Sequence, residues 1–344
     1  MVSPIDMAKR RLSLSTDRIR ALPVVELTPH GRCDCRCVMC DVWKADEHHR
    51  ELSEADLSSH LDSFKRLRVR RVILSGGEAL MHSNLWRLCE MLRALRIKIT
   101  LITSGQRLAD CAPQVAEWCD DVIVSLDGTP RVHDRVRSVN GAYGRLRLGV
   151  LALRSEAPKM RVTARSVLQQ MNYFDVGGII DTARELPVDG VNFVAVDVSS
   201  DAFRRAVPWE GIGRVMLRPE EIKHFDLVVE AVLRSHWDEI ASGFVVQTAE
   251  EIRGFVRYFR ALNDEDSFPE PVCNAPWVSA VLEADGSVRP CPFHPAVGNI
   301  NEAPLEDVIN GPRAARFREE LEMSENPTCR RCVSKLHLTP YQRP

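Results

Sequence analysis

Between about residues 23 and 200 the chain alternates short apolar runs, rich in β-branched residues, with longer segments whose apolar positions recur at helical spacing. Six of the short runs have strand character: 24–28, 69–75, 97–103, 122–126, 161–168 and 191–196. Residues 53–67, 83–95, 142–155 and 175–186 between them read as helices, the first opened by Ser53 and Asp56 as a capping pair. Strand followed by helix, repeated, is the pattern of a parallel sheet with crossover helices. Six units rather than eight predict an α/β fold built as a partial (β/α)6 barrel of TIM type, open on one side, with its chemistry at the carboxyl ends of the strands.

Two amphipathic helices follow at 219–240 and 248–262, and from Phe268 the chain becomes proline-rich and cysteine-bearing. The pattern divides the chain into an N-terminal extension (1–22), the barrel (23–210), a helical connector (211–267) and a small C-terminal domain (268–344).

Composition narrows the partners. With 46 basic and 48 acidic residues and a net charge of -2, the chain has no field to attract a polyanion, so no nucleic acid partner is expected. No apolar stretch approaches the roughly 18–20 residues of a membrane span, and the first residues lack a signal-peptide core. The expectation is a soluble, cytoplasmic protein in which Lys9, Arg10 and Arg11 lie on the solvated face of an initial helix.

Eleven cysteines, an odd number at clustered spacings, do not suggest a disulfide framework. Cys33, Cys37 and Cys40 fall within one loop after the first strand, at x3 and x2 spacing, with Cys35 among them. Three thiolates suit a cubic iron–sulfur cluster that keeps one iron open, whereas four suit a closed cluster or a zinc site. A second group comprises Cys273, Cys291 and the Cys329-x2-Cys332 pair, with Asp285-Gly286 as a hairpin turn bringing Cys291 back toward Cys273. Zinc and an iron–sulfur cluster both fit those four residues. Cys89, Cys111 and Cys119 sit in helical segments and read as small buried hydrophobes.

The strand ends carry further motifs. Ser75-Gly76-Gly77-Glu78 follows the second, Thr103-Ser104-Gly105 the third, and Ser125-Leu126-Asp127-Gly128 the fourth, with His133-Asp134-Arg135-Val136-Arg137 just beyond. Cysteine loop, GGE, TSG, SLDG and HDxxR, in that order, resemble the radical S-adenosylmethionine (SAM) superfamily, and the last two its subgroup with additional clusters. The resemblance implies that Cys33, Cys37 and Cys40 hold a 4Fe-4S cluster whose open iron binds SAM. Ser75, Gly76, Gly77 and Glu78 would then face the methionine amino group, Ser104 would stand in the place of a common asparagine, Ser125 and Asp127 would lie near the ribose, and Arg137 would pair with the carboxylate. Met39 replaces the usual aromatic residue beside the adenine. The second group is similar to the twitch domain, a shortened SPASM domain, with one auxiliary 4Fe-4S cluster; Leu338 stands where a further cysteine would come.

That resemblance implies reduction by flavodoxin or ferredoxin, cleavage of SAM to a 5'-deoxyadenosyl radical, and hydrogen abstraction from a small polar metabolite of sugar, aminocyclitol or nucleoside type. The layout is similar to the scyllo-inosamine dehydrogenases of aminocyclitol antibiotic biosynthesis, which makes a dehydrogenation the leading expectation. Arg165, in the fifth strand, and Asp197, ending the sixth, are the candidates for binding or deprotonating substrate, against the alternative of buried ion pairs. Radical epimerisation, decarboxylation, C–C bond formation and peptide modification are the alternative reactions. Only about 22 residues precede the first strand, little room for a leader-binding module. The chain ends Tyr341-Gln342-Arg343-Pro344, without the glycine pair of cyclic pyranopterin synthases. A non-catalytic electron carrier or zinc scaffold is the reading from another class.

Overall fold

The computed structural model describes residues 2–44, 50–200, 202–205 and 209–344. Six strands, β1 (Val24–Thr28), β2 (Arg71–Leu74), β3 (Lys98–Thr103), β4 (Asp121–Ser125), β5 (Arg161–Leu168) and β6 (Val191–Ala195), pair in parallel in sequence order. The sheet does not close on itself; β6 is one of its edges. Val25, Leu27, Val72, Leu74, Ile99, Leu101, Val122, Val124, Val162 and Ala164 bury the face turned toward the helices. Because successive side chains alternate across a pleated strand, Glu26, Ile73, Ile102, Ser125 and Arg165 lie on the opposite, concave face.

The segment expected to be one helix over 53–67 is two, Glu54–Ser58 and Leu61–Arg66. Ser53 and Asp56 form the reciprocal capping box that the sequence suggested. The interruption follows at Ser59, whose hydroxyl bonds back to the carbonyl of Asp56 at 2.8 Å.

Strand β7 (Ser279–Glu283), from the cysteine-rich C-terminal region, lies parallel to β1, with Val24 opposite Ser279 and Thr28 opposite Glu283. Strands β8 (Ser287–Arg289) and β9 (Gly298–Asn299) continue the sheet antiparallel, so its order is β6-β5-β4-β3-β2-β1-β7-β8-β9. The expected hairpin is present, with Gly286 at φ +86 in its turn. The C-terminal region thus extends the barrel sheet itself.

The first helix, Pro4–Thr16, differs from expectation in one respect. Arg11 is exposed and Lys9 half-buried, its Nζ donating to the carbonyl of Arg66 at 3.0 Å, but Arg10 is 2% exposed and donates to the carbonyl of Gln342 at 2.6 Å. The helix is clasped from the far end of the sequence: Trp277 Nε1 donates to Asp17 Oδ1, and Arg318 Nε to the Asp17 carbonyl, both at 2.6 Å. Among the described residues no helix is long and apolar enough to cross a membrane.

Candidate cluster and substrate site

The cysteine loop leaves the carboxyl end of β1 and is fastened on two sides. Glu78 N donates to the carbonyl of Arg32 at 2.8 Å, while Arg36 N and Val38 N donate to the carbonyls of Arg137 and Val136 at 3.2 and 3.1 Å. Gly76 and Gly77 serve this packing. A Cβ on Gly77 would meet Arg32 O at 2.0 Å, and Gly76, at φ +109, crowds His30 and Thr28. The close backbone approach expected toward a ligand is therefore made first of all toward the cysteine loop.

Cys35 and Cys37 are buried; Cys33 and Cys40 are partly exposed. As thiols, Cys35, Cys37 and Cys40 resist ionisation. Its hydrogen bond to Cys35, then burial, raises Cys37 well above the usual thiol value, with Arg137 pulling the other way. Cys35 is pushed to about 12, first through its bond to Cys33, and Cys40 to about 12, first by burial. Such thiols become thiolates when a cation takes the place of the proton. The Arg137 guanidinium, 3.6 Å from Cys37 Sγ, adds positive charge at the same point.

The residues expected around SAM are brought to this loop with partners of their own. Glu78 is 1% exposed and accepts from Thr103 Oγ1 at 2.8 Å and from the backbone N and hydroxyl of Ser104 at 2.7 Å each. Burial, and next Asp34, raise its carboxyl against those hydrogen bonds. Asp127 is fully buried: Oδ1 accepts from Val167 N at 2.7 Å and Oδ2 is ion-paired with Arg137. Arg137 Nε has no partner among the described residues. Ser75 and Ser125 are partly exposed at the ends of β2 and β4, and Met39 is buried beside the loop cysteines.

Cys273, Cys291 and Cys332 share one small apolar cluster with Ala202, Ala275 and Phe293. Asn274 ties the chain beside it to Leu338: its Nδ2 donates to Leu338 O and its Oδ1 accepts from Leu338 N, both at 2.9 Å. Asn326 caps the turn that carries Cys329 through two backbone N–H groups. Burial first, then neighbouring thiols, pushes Cys291 to about 12 and both Cys329 and Cys332 to about 11. Cys273 lies close enough for its charge to oppose the ionisation of Cys291, Cys329 and Cys332, and Cys332 for its charge to oppose that of Cys291 and Cys329, so the four expected ligands form a donor set that fits a thiolate-bound cluster. Among the described residues no three His, Cys, Asp or Glu groups close on a point as the ligands of a single ion do.

The two substrate candidates part company. Asp197 is 4% exposed, ion-paired with the buried Arg205 and bonded by the hydroxyls of Ser199 and Ser200 at 3.1 and 2.5 Å. Arg205 also lies over the rings of Trp209 and Phe203 at 5.0 and 5.1 Å. Asp197 therefore occupies a buried ion pair. Arg165 stands on the concave face, its Nε 3.2 Å from Asn192 Oδ1. Burial lowers its pKa, offset by the charge of Glu26. Glu26 was not singled out from the sequence. Glu26 is half-buried, and burial raises its carboxyl against a hydrogen bond from Ser75 and the field of Arg165. The signal was an acidic residue in the middle of an otherwise uncharged five-residue strand, Val24–Thr28.

The radical SAM superfamily matches residues 27–183, and an iron-sulfur cluster-binding domain, SPASM, matches residues 273–333. The chain is 33% identical over 141 residues to the pre-heme d1 synthase of Dinoroseobacter shibae, covering 40% of this chain and 35% of that protein. It is 22% identical over 341 residues to the antilisterial bacteriocin subtilosin biosynthesis protein AlbA of Bacillus subtilis, covering 91% and 67%. The chain spans about two fifths of the length of the first curated relatives it matches. Its fold follows that of Streptococcus suis SuiB bound to precursor peptide SuiA, with a TM-score of 0.65 at 14% identity, over 96% of this chain and 75% of that one. The two matched domains indicate SAM and two 4Fe-4S clusters as cofactors.

Proposed function

We propose that this chain, a radical SAM domain joined through one continuous sheet to a SPASM iron–sulfur domain, dehydrogenates a polar substrate held on the concave face of its barrel. When bound, the first cluster and SAM supply a 5'-deoxyadenosyl radical, the hydrogen-atom acceptor. Cys33, Cys37 and Cys40 are its ligands in this reading, with SAM set among the loop, the backbone of 75–77 and the end of β4. Arg165, with Asn192 and Glu26, binds and orients the substrate's polar groups. Glu26, its carboxyl raised by burial, takes up the proton that the substrate radical releases. Cys273, Cys291, Cys329 and Cys332 would hold the second cluster, which would supply an acceptor for the remaining electron, and flavodoxin or ferredoxin would be the external donor to the first.

The observation that carries the reading is the position of Glu26. Its strand β1 runs directly into the first cysteine loop on one side and pairs with β7 of the second cysteine region on the other. A substrate lying over Glu26 is thereby flanked by both thiol groups. The test is SAM cleavage by the reconstituted protein with a panel of sugars, aminocyclitols and nucleosides. Substrate-dependent 5'-deoxyadenosine with a ketone product supports the proposal; 5'-deoxyadenosine with an isomerised or decarboxylated product replaces dehydrogenation by that reaction.

A second reading, modification of a ribosomal peptide, is favoured by one observation: the similarity to AlbA runs through nearly the whole chain. Peptides encoded beside the gene belong in the same panel. A mass loss confined to such a peptide would select this reading.

A further inference from the structure

One side chain at the C-terminal thiol group is not itself a cysteine yet faces one. His294 lies three residues after Cys291 and is 5% exposed, and its Nε2 is 3.3 Å from Cys329 Sγ. It is held there from several directions. Its ring meets Phe317 edge-on, with centroids 4.9 Å apart. Its backbone N bonds the Cys291 carbonyl at 3.4 Å, and its carbonyl accepts from Arg289 Nη1 at 3.1 Å. Arg289 in turn pairs with Glu283, at the end of β7, at 3.2 Å. A buried imidazole fixed on both its ring and its backbone, with a nitrogen directed at a cluster ligand, has a defined relation to that ligand.

A thiolate bound to iron only accepts hydrogen bonds, so the ring nitrogen facing Cys329 is the one that carries the proton. Hydrogen bonds to cluster sulfurs stabilise the more negative, reduced cluster and raise its potential. We propose that His294 donates a hydrogen bond to the Cys329 thiolate and so tunes the C-terminal cluster upward, toward accepting an electron. It is a positioning residue, and the inference rests on the acceptor reading above for its purpose. The potential itself is measured without substrate, so a failed dehydrogenation and a failed tuning are read separately.

The experiment is a potentiometric titration, followed by electron paramagnetic resonance, of the reconstituted full-length protein and its His294→Phe and His294→Gln variants. A Cys33→Ala/Cys37→Ala/Cys40→Ala version identifies the signal that belongs to the C-terminal cluster. His294→Phe, which keeps an aromatic ring against Phe317, is expected to retain the iron of this site. It is expected to lower the reduced-to-oxidised ratio at a given potential about tenfold, which for a one-electron couple is about 59 mV. His294→Gln, which restores an N–H donor, should recover most of that shift. An unchanged potential in His294→Phe with iron retained overturns the inference. So does loss of the C-terminal iron in a variant whose thermal unfolding is unchanged, since that outcome makes His294 a ligand or a brace for the cluster.

Discussion

Gly77 and Arg32 are in backbone contact: a Cβ built on the glycine would lie 2.0 Å from the arginine's carbonyl oxygen. The first cysteine loop is therefore seated on the turn after β2, with no room for any side chain between them.

Gly77→Ala should consequently unseat the loop rather than merely weaken a ligand contact. The expected result is loss of the iron bound by Cys33, Cys37 and Cys40 with the C-terminal iron retained, about half the iron per chain after reconstitution. Full iron content in Gly77→Ala would show that the loop relocates at little cost.

Cys35 is bonded to both Cys33 and Cys37 but is the deepest thiol of the loop, 1% exposed. Cys35→Ala removes a small buried group and should cost about 1–2 kcal/mol of stability, with the iron content and SAM cleavage of the first site preserved. If iron falls as far as it does in Cys37→Ala, Cys35 is the fourth ligand.

Arg165 and Asp197 should separate on two measurements. Asp197→Asn leaves the buried Arg205 without its charge partner, a loss of about 3–5 kcal/mol visible in chemical unfolding. Arg165→Ala should fold and bind both clusters, yet lose about 10–100-fold in kcat/KM, the size of a lost charged hydrogen bond. Equal destabilisation by the two variants, with normal turnover in refolded Arg165→Ala, would place both residues in the scaffold.

The order and position of the six parallel strands were legible in alternating apolar runs, because strand and helix periods are local properties. So was the hairpin at Asp285-Gly286. The partners of Asp197, Arg10 and Glu26 were not, since each depends on residues brought from other elements. Arg205 is eight positions from Asp197, but Gln342 is 332 from Arg10. The place of β7 beside β1 was equally hidden: a short apolar run reads the same whether it starts a new sheet or completes an old one. The cysteine spacings announced both thiol groups, whereas His294 had no pattern to mark it.

Asp6 anchors the first helix to the turn that leads into β2, through Arg68 and Arg70 at 2.5 and 2.8 Å. Burial raises its carboxyl, but the two guanidinium groups outweigh that and hold it below the ordinary value. A lowered folded pKa gives stability that is present above the unfolded carboxyl value, about 3.9, and lost as pH falls through the folded one. Asp6→Asn should therefore destabilise the protein at pH 7 by about 1–2 kcal/mol, reduced by the partial exposure of both arginines. Thermal unfolding of the two proteins should converge as the pH drops below about 4; a constant difference across that range would mean that the contribution is not ionic.

On the ribosome, β1 emerges some 250 residues before its neighbour β7. At about 5–20 residues per second, that interval is roughly 10–50 s. Until it ends, one flank of β1 shows unpaired N–H and C=O groups, the hazard of any open strand edge. A nascent chain can complete the β2–β6 side of the sheet during this wait, while the strand that leads into the first cysteine loop stays half-paired. Slower elongation lengthens that exposure, so heterologous production should favour few chains made at a time rather than slow ones, with iron and sulfide supplied after the chain is released.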